Sequence, residues 1–261
     1  MSKSRSLLDR SLWPAVILLA FVFALFELTP LDLWVQDHLY DFDNHQWLVD
    51  AKAKTPRLFF YNLPKALLFF FGFSLLVICG VRGSVRDKIL KSRFRRVELW
   101  VVFLTMLTAP ILISTSKATT NVFCPKDIRR YGGEMPYVRV CESYPENDHP
   151  KKRGRGFPAG HASGGFALLS LAGLARTRRG MAVGITIGIG MGGMMGIYQM
   201  LKGAHYLSHT LITAIFCWVV FLAWRRICHR HELKSASCQA ATCPAADPAV
   251  RFSCLVLQPT L

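Results

Sequence analysis

Acidic residues are scarce in this chain: 16 Asp and Glu stand against 32 Lys and Arg in 261 residues, a net charge of +16. Charge of either sign is itself sparse, at 18%, against 52% apolar residues. That balance excludes a disordered chain, which lacks the apolar surface to fold. Cysteine pairs at metal spacing are also missing. Cys238 and Cys243 stand too isolated to read as a zinc site, and Cys79 and Cys217 lie within apolar stretches as small core residues. No small-x-small cleavage site follows the first apolar stretch, so that stretch reads as a retained anchor rather than a signal peptide. No internal repeat is evident, which weighs against a transporter.

What the chain does have is apolar blocks. Six approach the roughly 20 residues that cross a hydrocarbon core: Leu12–Leu28, Leu63–Val81, Val97–Ile113, Ala159–Ala175, Met181–Met200 and Tyr206–Trp224. The expected fold is all-α, a six-helix polytopic membrane bundle. Residues 1–11 form a cytoplasmic amino terminus, 12–226 the membrane domain, and 227–261 a cytoplasmic tail without regular structure.

The cations lie mostly in short loops between the blocks, which favours positive-inside topology over nucleic-acid binding. The amino terminus, the loop Arg82–Arg96, the turn Arg176–Arg179 and the segment after Trp224 share one side, expected to be the cytoplasm with both termini. The long opposite loop 116–157 breaks the rule with Lys117, Lys126, Arg129, Arg130, Arg139, Lys151, Lys152, Arg153 and Arg155. Long loops cross largely regardless of charge, so the topology stands. An anionic headgroup is the simplest reason for those cations. Cys124 and Cys141 share this loop and would be placed to form a disulfide outside the cytoplasm. In the fifth block, Gly184, Gly188, Gly192 and Gly196 form one helix face, suited to close packing inside the subunit ahead of a dimer contact.

Three polar clusters lie at the outer block ends. His205 and His209 are four apart and share a helix face. No acidic third ligand accompanies them, so a metal site is disfavoured; a nucleophilic imidazole with an orienting partner fits better. His161 follows Pro158-Ala159-Gly160, a turn that lets backbone approach a phosphate while His161 protonates a leaving oxygen. Lys117 reads either as a snorkelling lysine or as a phosphate clamp opposite the histidines.

In order and spacing these clusters resemble the type-2 phosphatidic acid phosphatase family, which includes the vanadium haloperoxidases. Its pattern is K-x6-R-P, then P-S-G-H, then S-R-x5-H-x3-D. Here Lys117 precedes Cys124-Pro125, with Cys for Arg. Pro158-Ala159-Gly160-His161 has Ala for Ser. Tyr198, Gln199, His205 and His209 align with Ser, Arg, His and Asp. The stretches Phe-Pro-Ala-Gly-His-Ala-Ser and Gly-Ala-His-Tyr-Leu-Ser-His-Thr look like a bacterial membrane subgroup similar to lipid A phosphatases and phosphotransferases.

The resemblance implies that His205 becomes a phosphohistidine, His161 protonates the leaving group, and Lys117 with the Gly160 N–H holds the phosphoryl oxygens. It implies no metal and no other cofactor. Gln199 and Cys124 remove two arginines from the pocket, and neither binds phosphate in a bidentate way. Lys202 would restore one cation, and Arg129, Arg130, Arg153 or Arg155 another. Ser163 would stand in for the missing serine hydroxyl. His209 accepts a hydrogen bond from His205 only when neutral, so activity is expected to rise from roughly pH 5 to 8.

The implied protein is an inner-membrane lipid phosphatase with its site facing the periplasm. Its partner is a phosphorylated lipid: lipid A, undecaprenyl pyrophosphate or a phosphatidate-like lipid. The alternatives are a lipid phosphotransferase using the same phosphohistidine, a catalytically degenerate homologue, and, further behind, a non-enzymatic membrane protein or a haloperoxidase.

Overall fold

Helices form where the sequence is apolar, because in hydrocarbon each backbone N–H and C=O must find its partner within the segment. The computed structural model describes residues 8, 10–81 and 94–242, with side chains as far as 234. In chain order the elements are α1 (Leu12–Leu28), α2 (Leu31–Asp37), the two-stranded hairpin β1 (Tyr40–Asp41) and β2 (Gln46–Trp47), α3 (Lys54–Gly80), α4 (Arg96–Thr119), α5 (Gly160–Ala167), α6 (Arg178–Leu201) and α7 (Leu207–Thr242). A 3-10 segment, Leu168–Leu174, prolongs α5.

All six expected stretches are helical, but they are not equivalent. Helices α3, α4, α6 and α7 are each long and apolar enough to cross a membrane. A fifth crossing results if α1 and α2 are joined across their 71° bend. The α5 stretch is shorter, eight α residues followed by seven in the 3-10 form. Among the described residues, four crossings, or five with the bent pair joined, qualify by length and composition, as in a multi-pass membrane protein. The acidic stretch 32–50 holds most of α2 and the β hairpin, with Tyr40 opposite Trp47 and Asp41 opposite Gln46. The helix α7 continues to Thr242, so the irregular tail does not begin at residue 227. The remainder of that tail and the cationic loop 82–93 lie outside the described residues.

The core is built around α7, which packs on α1, α4 and α5. Phe166 and Leu169 meet Ala109, Met195, Cys217 and Val220 there. The Trp224 indole N–H donates to the Thr108 hydroxyl at 2.8 Å, tying α7 to α4. The glycine face of α6 closes on the α5 stretch. A Cβ on Gly184 would lie 2.6 Å from the Ala172 nitrogen, and one on Gly188 2.5 Å from the Leu169 nitrogen. The face packs within the chain, as its four-residue spacing suggests. Side chains would force these backbones apart.

One end of the bundle is roofed by polar segments. Tyr40, Trp47 and Tyr131 pack together, the last from the long loop. The Gln36 amide donates to the Met200 carbonyl at 2.9 Å. Gly203, at φ +67°, turns the chain out of α6, and its carbonyl accepts the Lys126 N–H at 2.9 Å. The turn thus pins the long loop to the end of α6.

Candidate active site

The roofed end is where α4 and α6 finish and α3, α5 and α7 begin. It contains a cleft of about 380 Å³. Lys117, on the last turn of α4, reaches it because the helix runs past the apolar block into Ser-Thr-Ser-Lys. His161 enters from the first turn of α5. Gln199 comes from the end of α6, and Lys202 and His205 from the link to α7.

The three histidines form a line. His161 Nδ1 is 3.5 Å from His205 Nε2, and His205 Nδ1 is 3.5 Å from His209 Nδ1. His205 and His209 are both 2% exposed, whereas His161 is exposed, and His161 and His205 are the imidazoles that line the cleft. The backbone of Gly156 lies beside both His205 and His209. That neighbour was invisible in the sequence, since a backbone group has no residue signature. Burial, and after it the neighbouring His209 ring, holds the His205 imidazole well below the ordinary histidine range.

Gly160 stands close to Lys117: a Cβ there would lie 3.3 Å from Lys117 Cε and 3.5 Å from its Nζ, so a larger residue would push the lysine aside. The absent side chain lets the ammonium sit over the helix start beside His161. The turn before it is docked on α7, with the Ala159 N–H donating to the Thr213 hydroxyl at 3.0 Å.

Among the described residues, five cations line the cleft, Arg57, Lys117, Lys126, Arg155 and Lys202, and no carboxylate shares the lining. Lys202 is pushed down from the ordinary lysine range by burial, then by Arg57 and Lys126. Its Nζ also stands 4.7 Å from the Tyr198 ring centre. Such crowding of like charge favours an anion in the cleft.

Some expected residues are elsewhere. Ser163 is fully buried, and its hydroxyl donates to the Gly160 carbonyl at 2.7 Å, so it does not line the cleft. Arg129 pairs with Asp148 at 2.5 Å, and Arg130 with Asp37 at 2.7 Å. Arg153 donates to the Thr119 carbonyl. Of the loop cations, Lys117, Lys126 and Arg155 reach the cleft, so a headgroup does not account for all nine. Cys124 and Cys141 are both free. Cys124 lines the cleft, and burial raises its thiol to about 11, which keeps it neutral. Cys141 is exposed, its N–H held by the Glu27 carboxylate at 3.2 Å.

Arg57 and Tyr61 were missed. They sit on the opening turns of α3, ahead of the apolar block, where Leu58–Asn62 forms a π-helical turn. The Tyr61 ring lies 5.1 Å from that of His161. Among the described residues, no group of three or more His, Cys, Asp and Glu is arranged to hold a metal ion.

Compared with known families, the chain matches the model of the PAP2 superfamily over residues 98–232, just over half its length. No curated protein and no solved structure matches. The matched span contains Lys117, His161, Gln199, Lys202, His205 and His209, and begins after Arg57 and Tyr61.

Proposed function

The chain belongs to the PAP2 superfamily, and from that premise we propose that it removes a phosphate from a membrane lipid through a phosphohistidine on His205. The observation that carries this reading is the line of His209, His205 and His161 running into a cleft that, among the described residues, is lined by five cations and no carboxylate.

A neutral His205 that donates from Nδ1 keeps its lone pair on Nε2, on the side of His161. His209 or the Gly156 carbonyl takes that donated hydrogen bond. The Nε2 lone pair forms the bond to phosphorus as the bond to the lipid oxygen breaks. His161, in its imidazolium form, gives its proton to the departing oxygen and is left neutral. Water then attacks phosphorus, His161 takes up the water proton, and the N–P bond breaks to release phosphate. Lys117, Lys202, Arg57, Lys126 and Arg155 neutralise the phosphoryl oxygens in place of the two missing motif arginines.

A lipid substrate follows from a phosphate cleft built at the ends of membrane helices. The resemblance to the bacterial membrane subgroup supports an inner-membrane protein, and the positive-inside rule with an even number of crossings supports both termini in the cytoplasm and the cleft toward the periplasm.

The test is inorganic phosphate release by detergent-purified protein offered lipid A, undecaprenyl pyrophosphate and phosphatidic acid, with His205→Ala beside it. Release from one lipid, lost in the variant, supports the hydrolase. Phosphate found on a second lipid and not in solution would make the protein a phosphotransferase. Neither product from folded protein would sink the reading.

A further inference from the structure

At the far end of the histidine line, beyond His205, lies a second and much smaller hollow of about 20 Å³. Asp32 of α2, Tyr206, Ser208 and His209 at the entry to α7, and Tyr137 and Arg139 of the long loop all line it. Asp32, Tyr206, Ser208 and His209 are each at most 6% exposed. The hollow and the cleft share no lining residue. They are joined by the contact of His205 Nδ1, on the cleft side, with His209 Nδ1, on the side of the hollow, at 3.5 Å.

The hollow is polar where it matters. The Tyr206 hydroxyl and Arg139 Nε are buried and have no hydrogen-bond partner among the described residues. Leaving such atoms dry is costly. One water needs about 10–15 Å³ and two to four polar partners, and the hollow offers both. Asp32 supplies an acceptor. Its oxygens take the Ser208 backbone N–H at 2.8 Å and the Ser208 hydroxyl. A carboxylate has about four lone-pair positions, so Asp32 can accept more. Glu27 lines the hollow too, but it is committed to the loop, accepting the Val140 and Cys141 N–H at 2.9 and 3.2 Å.

We infer that a water in this hollow links His209 to Asp32, which makes Asp32 a positioning residue for the nucleophile. This rests on the phosphohistidine reading above, in which His205 donates from Nδ1. A neutral His209 that accepts at Nδ1 carries its proton on Nε2, and that N–H needs an acceptor. The bonds then run one way: His205 Nδ1–H to His209, His209 Nε2–H to the water, and a water O–H to the Asp32 carboxylate. The Tyr206 hydroxyl gives the water a further partner. Each proton stays on its own atom. Where the family pattern has Asp, this chain has His209; the carboxylate comes from α2 instead, one imidazole and one water further back. Its charge favours the positive ring that forms as His205 Nε2 bonds to phosphorus, and burial keeps that charge from being screened.

The test uses detergent-purified full-length protein with isotope-labelled histidine. Asp32→Asn still accepts the Ser208 N–H but has lost the charge. In nitrogen NMR, with His209 assigned through His209→Gln, the wild-type ring is expected to carry its proton on Nε2. Asp32→Asn and Tyr206→Phe are each expected to shift the His209 ring resonances and to leave those of His161 in place. A His209 proton on Nδ1, or a His209 ring unmoved by Asp32→Asn, overturns the inference and leaves the Gly156 backbone as the partner of His209. Should Asp32→Asn unfold as readily as Asp32→Ala, Tyr206→Phe, which leaves the Ser208 cap intact, decides by the same spectra. On whichever of lipid A, undecaprenyl pyrophosphate and phosphatidic acid releases phosphate, Asp32→Asn is expected to lower kcat about 10- to 100-fold with KM within about twofold. Glu27→Gln is expected to keep both within about twofold. An equal loss of kcat in the two variants, or a change in KM alone, overturns the role of Asp32. Phosphate release with unmoved His209 resonances would sink the water link and spare the phosphatase. Shifted His209 resonances without release from any lipid would sink the phosphatase and leave the link standing.

Discussion

The Asp32 carboxylate accepts the Ser208 backbone N–H at 2.8 Å and the Ser208 hydroxyl as well. Both residues are buried, and they are 176 positions apart. Asp32 sits on α2, past the 71° bend, and Ser208 on the first turn of α7 between His205 and His209. The carboxylate satisfies a helix-start N–H that has no partner within the helix. Asp32→Ala leaves that donor buried and unpaired, a loss of about 1–3 kcal/mol. Asp32→Asn, whose amide oxygen still accepts the N–H, is expected to lose less. Thermal unfolding of the two variants in one detergent checks the order; equal midpoints would refute the role.

The histidine line predicts different kinetic defects at its members. With His205 as the proposed nucleophile, His205→Ala is expected to abolish both turnover and any acid-labile phosphoenzyme. His161→Ala is expected to lower kcat by about 10²–10⁴-fold, the usual worth of a general acid. Rapid-quench trapping with labelled lipid distinguishes them. A phosphoenzyme that survives His205→Ala would contradict the assignment.

The five cleft cations predict a binding defect. Arg57→Ala and Lys202→Ala each remove a charge-assisted contact to phosphate, about 1.5–3 kcal/mol or roughly tenfold to a hundredfold in kcat/KM. Arg129→Ala, whose partner is Asp148, is expected to leave kcat/KM within about twofold. A titration of kcat/KM with the three variants tests this, and a defect in Arg129→Ala matching that of Arg57→Ala would count against the cleft.

Burial of His205 carries a pH consequence. Its imidazole is held well below the ordinary value of about 6.5, so it stays neutral and nucleophilic until the solution is distinctly more acidic. In the profile of kcat/KM, which reports the free enzyme, the limb set by His205 is expected only below about pH 6.5, while loss of the His161 proton sets a separate alkaline limb. The motif alone suggests a rise across roughly pH 5 to 8. A half-maximal point of the acid limb above about pH 6.5 would favour that broader expectation and contradict the effect of burial.

Two neighbouring glycines of α6 predict opposite outcomes. A Cβ on Gly192 would lie 2.3 Å from the Phe166 ring, whereas Gly193 faces open space. Gly192→Leu overpacks the α5–α6 contact and is expected to cost about 1–3 kcal/mol. Gly193→Ala is expected to be neutral or to stabilise the helix by up to about 1 kcal/mol. Thermal midpoints check the pair.

The helical stretches, the glycine face and the motif residues Lys117, Gly160, His161, Gln199, Lys202 and His205 were legible in the sequence, because each rests on local spacing. A helix repeats every 3.6 residues, and a close approach is marked by the missing side chain itself. Other features were decided by the tertiary structure. Arg57 and Tyr61 reach the cleft from a helix start far from every motif. Lys126 gets there through a backbone bond to Gly203, while Arg129 and Arg130 are drawn aside by Asp148 and Asp37. Ser163 turns its hydroxyl to Gly160, a choice of direction that residue type does not encode. The helix-crossing count also depended on the fold, since a 3-10 continuation and a 71° bend change how far a given apolar stretch reaches. Local pattern determines which residues are apolar, helical or chemically apt; long-range packing determines which of them face one another, because their energies of contact depend on segments that the sequence holds far apart.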